Sequence, residues 1–417
     1  MELKSKTEFR TTDENFWMSI DKLRRSLILF SNQRTLKSSA KGNEDKCSNS
    51  GQEWNTENSS TSYNRKQLLE KIDGIFRNYL QKAQNDEITT LKLPKRDIWE
   101  NINYEPDCGI KMKENPVMKT VGGSRPRSSS RFVRIMHVLT KIYNLIKTNT
   151  YRTKRELYYE DVTLFKSQAT LDRILDDIAC FLNVPKIQLH VLTTAKGCIA
   201  GNLRFKDSYG NYIECDASSE GTLIPNDVCG ISYIQSDARF ILLVEKSSVF
   251  QMLLDSKVTE ILSPCILITG KGFPDVNTRE MLRKLWETLR IPILGLVDAD
   301  PYGIEILNTY RYGSKAMSFD VENLAVTEIR WLGLLPSDIE RLNLPTTSIQ
   351  TLSRYDILKA KSLLNRNYMQ ANISWKDQIE IMLHSQQKAE IEGLSKINPL
   401  FLPKTYLPGK IKCGGWI

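Results

Sequence analysis

The chain has 417 residues, enough for two or three domains with cores of their own. Its 58 Lys and Arg against 49 Asp and Glu leave a net charge of +9, a mild excess that permits a nucleic-acid partner without requiring one. No run of 18 apolar residues occurs, no signal peptide opens the chain and none of the 8 cysteines forms a Cys-x-x-Cys pair. A membrane span, a cysteine-pair zinc cage and a dithiol centre are therefore excluded, and a soluble protein of a reducing compartment is expected.

Residues 14–30 space Phe16, Ile20, Leu23, Leu27 and Phe30 on one face, an amphipathic helix suited either to a partner or to its own domain. Residues 36–63 are mostly Ser, Asn, Lys, Glu and Gly and read as a disordered linker, so 1–63 form an N-terminal extension. A helix at 68–80 and irregular chain over 85–118 follow. Residues 119–131, with Gly122-Gly123 and Ser124-Arg125-Pro126-Arg127, read as a basic linker closing a lead-in over 64–130.

From Arg131 the pattern tightens. Phe132, Ile135, Met136, Leu139, Ile142, Tyr143 and Ile146 make one helical stripe, and Leu171, Ile174, Leu175, Ile178 and Phe181 another. Between them Thr153, with Glu156 three residues on, is a capping box that opens a short helix. Two β-type stretches, 187–193 and 198–205, joined through Lys196-Gly197, read as a hairpin. Three helices and a hairpin over 131–215 describe a winged helix, whose third helix is the usual reader of a DNA groove. A small helical domain with no DNA role remains the alternative.

The short helix carries Arg155, Tyr158 and Tyr159. A tyrosine, with a reference pKa of about 10, needs a base or a positive charge before it attacks phosphorus. Arg155 lies four residues before Tyr159, on the same face. Its guanidinium can favour the phenolate and hold phosphate oxygens. Tyr158 points about a quarter-turn away, which suits packing. Spacing alone leaves open whether Tyr159 is catalytic or an ordinary surface tyrosine.

Three β-type runs follow. The first, 240–244, ends in Glu245-Lys246; the second, 265–269, in Gly270-Lys271-Gly272; the third, 293–297, in Asp298-Ala299-Asp300. Helical patterns at 249–254 and 277–289 separate them, and Ile304, Ile306, Leu307 and Tyr310 begin another. This alternation marks a parallel, Rossmann-like sheet with right-handed crossovers. Ligands bind beyond the carboxyl ends of such strands. Glu245, Asp298 and Asp300 offer hard oxygens there, suited to Mg²⁺. The plainer reading is that one aspartate caps the next helix and the other is solvated. The sheet is expected to continue through 316–319. A helix is expected over 375–394, with Asp377, Glu380, Lys388 and Glu390 as solvated charges.

A strand-end glutamate followed two strands later by Asp-x-Asp resembles the Toprim fold of topoisomerases, primases and some nucleases. Residues 153–165, Thr-Lys-Arg-Glu-Leu-Tyr-Tyr-Glu-Asp-Val-Thr-Leu-Phe, resemble the tyrosine motif of the animal meiotic double-strand-break transesterases, eukaryotic relatives of the A-type chain of archaeal topoisomerase VI. So do Thr194-Ala195-Lys196-Gly197, Leu243-Val244-Glu245-Lys246, Gly270-Lys271-Gly272-Phe273-Pro274-Asp275, residues 296–303, residues 330–338 and the ending Gly414-Gly415-Trp416-Ile417. The resemblance covers residues 64–417 in the family's order.

It implies an α/β protein in which a winged-helix (CAP-like) DNA-binding domain precedes a Toprim domain at 230–417. It further implies that Tyr159, assisted by Arg155, attacks a DNA phosphodiester. A 5′-phosphotyrosyl bond forms and a 3′-hydroxyl is freed. Glu245, Asp298 and Asp300 would bind Mg²⁺, with Mn²⁺ as a substitute. Lys196 would contact the DNA backbone, with Lys271 and Arg204 as further DNA contacts. The resemblance implies a homodimer on double-stranded DNA in the nucleus, where the tyrosine of one protomer meets the metal site of the other. No Gly-x-x-x-x-Gly-Lys-Ser/Thr loop is present. Meiotic accessory proteins and a topoisomerase VI B-type subunit are therefore the expected partners. Glu156 replaces the Asp of many relatives, and position 302, His or Tyr in the family, is Tyr302. A hydrolytic Toprim nuclease or primase would leave Tyr159 without a purpose. An inactive DNA-binding scaffold would leave the carboxylates without one.

Overall fold

A computed structural model describes residues 14–40, 65–85, 87–123, 125–216 and 218–417; most of the expected linker at 36–63 lies outside them. Helix α1 (Glu14–Ala40) buries Phe16, Trp17, Ile20 and Leu27. It docks on its own chain. The Trp17 ring lies 6.0 Å from that of Phe240, and the Ser19 hydroxyl donates to the Lys412 carbonyl at 2.9 Å. Phe30, expected on the buried face, is exposed.

Next come α2 (Arg65–Gln84), β1 (Thr90–Pro94), β2 (Ile102–Glu105), β3 (Gly109–Met112), β4 (Met118–Gly122) and α3 (Pro126–Thr148). β1 pairs with β4 and β2 with β3, both antiparallel. The irregular stretch and basic linker expected here are therefore ordered ladders leading straight into α3. β1 and β4 are fixed by each other across a long intervening stretch, Thr90 opposite Gly122, which local periodicity cannot reveal, whereas β2 and β3 form a local hairpin of mixed polarity. Arg125 and Arg127 are exposed, but other charges of this region reach the interior. Asp177 is buried on α6 (Gln168–Leu182), where Arg96 at 3.0 Å, Lys119 at 3.1 Å and Arg131 all reach its carboxylate. A buried carboxylate without such partners would be strongly destabilising.

Before α6 the chain forms β5 (Arg152–Thr153), α4 (Lys154–Glu160) and α5 (Val162–Phe165). Helices α2 to α6 share one core, with Leu68, Ile135, Leu139, Ile142, Leu157, Phe165, Ile174 and Ile178 at its centre. The hairpin expected over 187–205 does not form. β6 (Val191–Leu192) pairs in parallel with β5, whereas β7 (Cys198–Gly201) leaves for the central sheet. All four residues of β7 are buried, so the strand needs cover on both faces, which an exposed wing lacks.

The next eight strands are β8 (Arg204–Lys206), β9 (Tyr212–Glu214), β10 (Thr222–Leu223), β11 (Ser232–Gln235), β12 (Phe240–Val244), β13 (Cys265–Thr269), β14 (Ile293–Leu296) and β15 (Arg330–Gly333). The central sheet runs β10-β7-β13-β12-β14-β15, parallel from β13 to β15 and antiparallel at β7 and β10. Ile241 and Leu243 face a core shared with Trp286 of α9 (Val276–Leu289) and Leu307 of α10 (Pro301–Tyr312). Phe240, Leu242 and Val244 face the other way, against Phe250 of α7 (Ser247–Asp255), Val258 of α8 (Val258–Ile261), α1 and Leu407. Both faces are covered, as a parallel sheet requires. β12 and β14 run side by side and therefore end at the same edge.

Two late expectations are corrected. Lys315–Asp320 is a helical turn, and the sheet continues at β15 instead. There Trp331 and Ile417 exchange backbone hydrogen bonds of 2.9 and 3.0 Å, which closes the outer edge. The helix expected over 375–394 runs Ile373–Ser385 and stops at Gln386, whose φ is +56°. A short strand, Gln387–Ala389, and a turn, Ile391–Lys396, follow.

Because α1 covers one face of the central sheet, truncating its anchor should loosen the whole domain. Trp17→Ala is expected to cost about 3–5 kcal/mol and to lower the melting temperature in calorimetry. Met18→Ala, on the exposed side of α1, should leave it unchanged.

Candidate active site

Helix α4 is short and is held at both ends. At its start the Thr153 hydroxyl accepts from the Glu156 N–H at 3.2 Å, and the Glu156 carboxylate accepts from the Thr153 N–H at 2.7 Å. At its end Glu160 pairs with Lys141 at 2.5 Å and Arg152 at 3.1 Å. The next residue, Asp161, lies 2.5 Å from Lys141 and 2.8 Å from His137 Nε2. These two hydrogen bonds hold the Asp161 carboxyl below its usual range. Leu157 is buried and Tyr158 half-buried against the helical core. Tyr159 is 71% exposed, and Arg155 is exposed beside it. The helix is thus fixed on every side but the one that presents the phenol.

The carboxylates stand at the common end of β12 and β14. Glu245 Oε2 accepts from the Asp298 N–H at 2.8 Å. Asp298 Oδ1 accepts from the Ile391 N–H at 2.9 Å, and Oδ2 lies 2.8 Å from Lys246 Nζ. Asp300 Oδ1 accepts from the Gly303 N–H at 2.6 Å, so Asp300 does cap α10. Its capping role and a place at the strand end coexist. Asp298, by contrast, is buried and not solvated. Burial, then repulsion from Asp298, pushes Glu245 up to about 8. Burial raises Asp298 to about 6 against the pull of Lys246, and it raises Asp300 as well.

Among the described residues, no three His, Cys, Asp or Glu side chains converge into a metal cage as they stand. The Asp298 oxygens face Lys246 and the Ile391 N–H. The residues nevertheless fit a divalent cation: the donors are hard oxygens, and burial and mutual repulsion leave them short of positive charge. Gly303 keeps the space open. A Cβ there would lie 2.9 Å from Glu245 Oε2 and 2.7 Å from the Asp298 carbonyl.

Of the basic residues singled out from the sequence, two meet. Lys196 Nζ donates to the Lys271 carbonyl at 3.2 Å. The Lys196 N–H reaches Asp275 at 2.7 Å, and the Gly272 N–H donates to the Glu245 carbonyl at 2.9 Å. Lys196 and Lys271 therefore stand next to the carboxylate edge. Arg204 lies elsewhere, on the small sheet β11-β8-β9, over the Tyr212 ring at 4.3 Å.

Residues 240–411 match the Toprim domain of the Spo11 and topoisomerase 6 A-chain family, and residues 130–191 match Type IIB DNA topoisomerase. The chain is 44% identical to the Meiotic recombination protein SPO11 of Mus musculus over 351 residues, which is 84% of this chain and 89% of that protein. It is 42% identical to the Homo sapiens protein of the same name over the same shares. It is 38% identical to the A chain of DNA topoisomerase 6 of Arabidopsis thaliana over 72% of this chain and 71% of that protein. The chain belongs to the Spo11/topoisomerase 6 A-chain family.

This Spo11-family chain carries several site residues that the sequence did not flag. Glu390, expected to be solvated, lies 3.0 Å from Lys246, and Glu392 lies 3.1 Å from it. Lys388 is engaged too, 2.9 Å from Asp356. The Ile391 N–H, His137, Lys141 and Asp161 went unmarked because their partners are far away in sequence. Lys246 alone had a signal, its place directly after the strand-end Glu245.

The capping box predicts a local effect. Thr153→Ala should weaken α4 by about 1 kcal/mol. It should speed amide exchange at Leu157–Glu160 while leaving the melting temperature nearly unchanged.

Proposed function

We propose that the chain is a topoisomerase-like DNA transesterase that makes meiotic double-strand breaks in the nucleus, with Tyr159 as its nucleophile. The observation that carries this reading is the single exposed face of α4, which offers Tyr159 beside Arg155 from an otherwise immobilised helix. Membership of the Spo11 family and the names of its mouse and human relatives support the meiotic role.

In the proposed step the Tyr159 oxygen attacks phosphorus and gives up its proton. A new P–O bond joins the tyrosine to the 5′ end as the bond to the 3′ oxygen breaks, and that oxygen leaves as a hydroxyl. One phosphoester replaces another, so no high-energy cofactor is consumed. Arg155 holds the phosphate's non-bridging oxygens and favours the phenolate. Glu245, Asp298 and Asp300 would hold a divalent cation, Mg²⁺ with Mn²⁺ as substitute, which when bound stabilises charge on the reacting oxygens. Lys196 and Lys271 at the same edge are suited to neighbouring phosphates, which set register and not sequence.

By its family membership, the proposed enzyme acts as a dimer whose tyrosine serves the partner's carboxylates on double-stranded DNA. Meiotic accessory proteins and a topoisomerase VI B-type subunit would control the pairing.

A covalent-adduct assay with DNA, Mn²⁺ and the B-type partner tests the reading. Wild type should yield nucleotides attached through a 5′ phosphate, and Tyr159→Phe and Asp298→Ala should each yield none. Cleavage that persists in Tyr159→Phe without an adduct would mark a hydrolytic enzyme instead. Metal binding should also depend on pH. Because Glu245 holds its proton up to about 8, Mn²⁺ affinity should rise as pH goes from 6 to 8, measured by calorimetric titration. Gly303→Ala should stay folded by circular dichroism but bind Mn²⁺ more weakly, since its methyl crowds Glu245.

A further inference from the structure

We propose that Lys246 is a built-in counter-cation that competes with the divalent ion for Asp298, with Glu390 and Glu392 as the place to which it retreats. The inference rests on the reading of Glu245, Asp298 and Asp300 as metal ligands and concerns what limits their affinity.

Lys246 leaves the end of β12 directly after Glu245. Its ammonium meets three carboxylates at once: Asp298 at 2.8 Å, Glu390 at 3.0 Å and Glu392 at 3.1 Å. The two glutamates arrive on a fixed strap. Ala389 exchanges backbone hydrogen bonds with Ala299 at 3.0 and 3.3 Å, and the Ile391 N–H holds Asp298 Oδ1. The Ser248 hydroxyl donates to the other Glu392 oxygen at 2.9 Å.

An ordinary buried ion pair would need only Lys246 and Asp298. Here the lysine has two further carboxylates that are more exposed than Asp298, with side chains 53% and 39% accessible against 5%. Breaking the contact with Asp298 therefore leaves no cation unpaired. A divalent ion on Asp298 Oδ2 and an ammonium within about 4 Å of it repel each other. The ammonium must yield, and Glu390 and Glu392 let it do so over a short path. While it stays, it occupies the Asp298 oxygen that a cation would use. The free chain should thus bind metal less tightly than its carboxylates alone would.

The test is Mn²⁺ titration by calorimetry on the full chain, with metal-free and metal-bound melting curves. Lys246→Met should bind Mn²⁺ roughly ten-fold more tightly, as removal of a unit charge beside a divalent ion predicts. It should melt lower without metal and gain more on adding it. Lys246→Arg should resemble wild type. The double variant Glu390→Gln, Glu392→Gln should bind more weakly, because the ammonium then has only Asp298 to pair with. A purely structural lysine would not tighten metal binding when removed. Unchanged or weaker binding in folded Lys246→Met overturns the proposal while leaving the metal reading intact. Should Lys246→Met fail to fold, unchanged or tighter binding in the double variant overturns it. Wild-type binding no different from that of Asp298→Asn overturns the metal reading and this proposal with it.

Discussion

Glu245 and Asp298 are buried at the edge of a parallel sheet, where carboxylates repel one another and water does little to separate them. Much of the surrounding structure answers that constraint. Backbone N–H groups of Asp298, Ile391 and Gly303 donate to the three carboxylates, and one ammonium stands against Asp298. Each of these contacts depends on chain geometry: adjacent strand ends, a glycine in the first turn of α10 and a strap that returns late from the sequence. Without them the acidic cluster would disfavour the fold that carries it.

The helical half solves a different problem. The proposed nucleophile, on a short helix, needs a fixed backbone and a free side chain. α4 has the capping box at one end and the Glu160, Asp161, Lys141, His137 and Arg152 cluster at the other. Leu157 and Tyr158 face inward, and so Tyr159 faces out. The same half keeps Asp177 neutralised by three cations from α3 and the ladders before it, which anchors those ladders to α6.

The halves are joined by β7, which starts from the helical side and ends as an antiparallel member of the central sheet. Lys196 precedes it, so the turn between the two cores also carries a basic residue to the carboxylate edge. One piece of chain thus sets both the junction and part of the surface proposed to face phosphates. Closing the far edge of the sheet falls to Ile417, and covering its face to α1.

The sequence by itself determined the repeating strand–helix order, the acidic strand ends, the capping box and the tyrosine helix. These are local: periodicity, a cap and a strand terminus are written within a few residues of one another. Motif order also pointed to the family. Only the tertiary structure decided that β1 to β4 are ordered ladders, that β7 belongs to the central sheet and that 316–319 is helical. It also decided that Asp298 is held by Lys246 and the Ile391 N–H, with Glu390 and Glu392 beside them. The reason is physical. A short strand of mixed polarity takes its place from its partner, and a charged side chain takes its role from whatever folding brings within about 3 Å of it. Apart from the β2–β3 hairpin, whose two strands are close in the chain, these partners lie far apart in sequence, so no local pattern could name them.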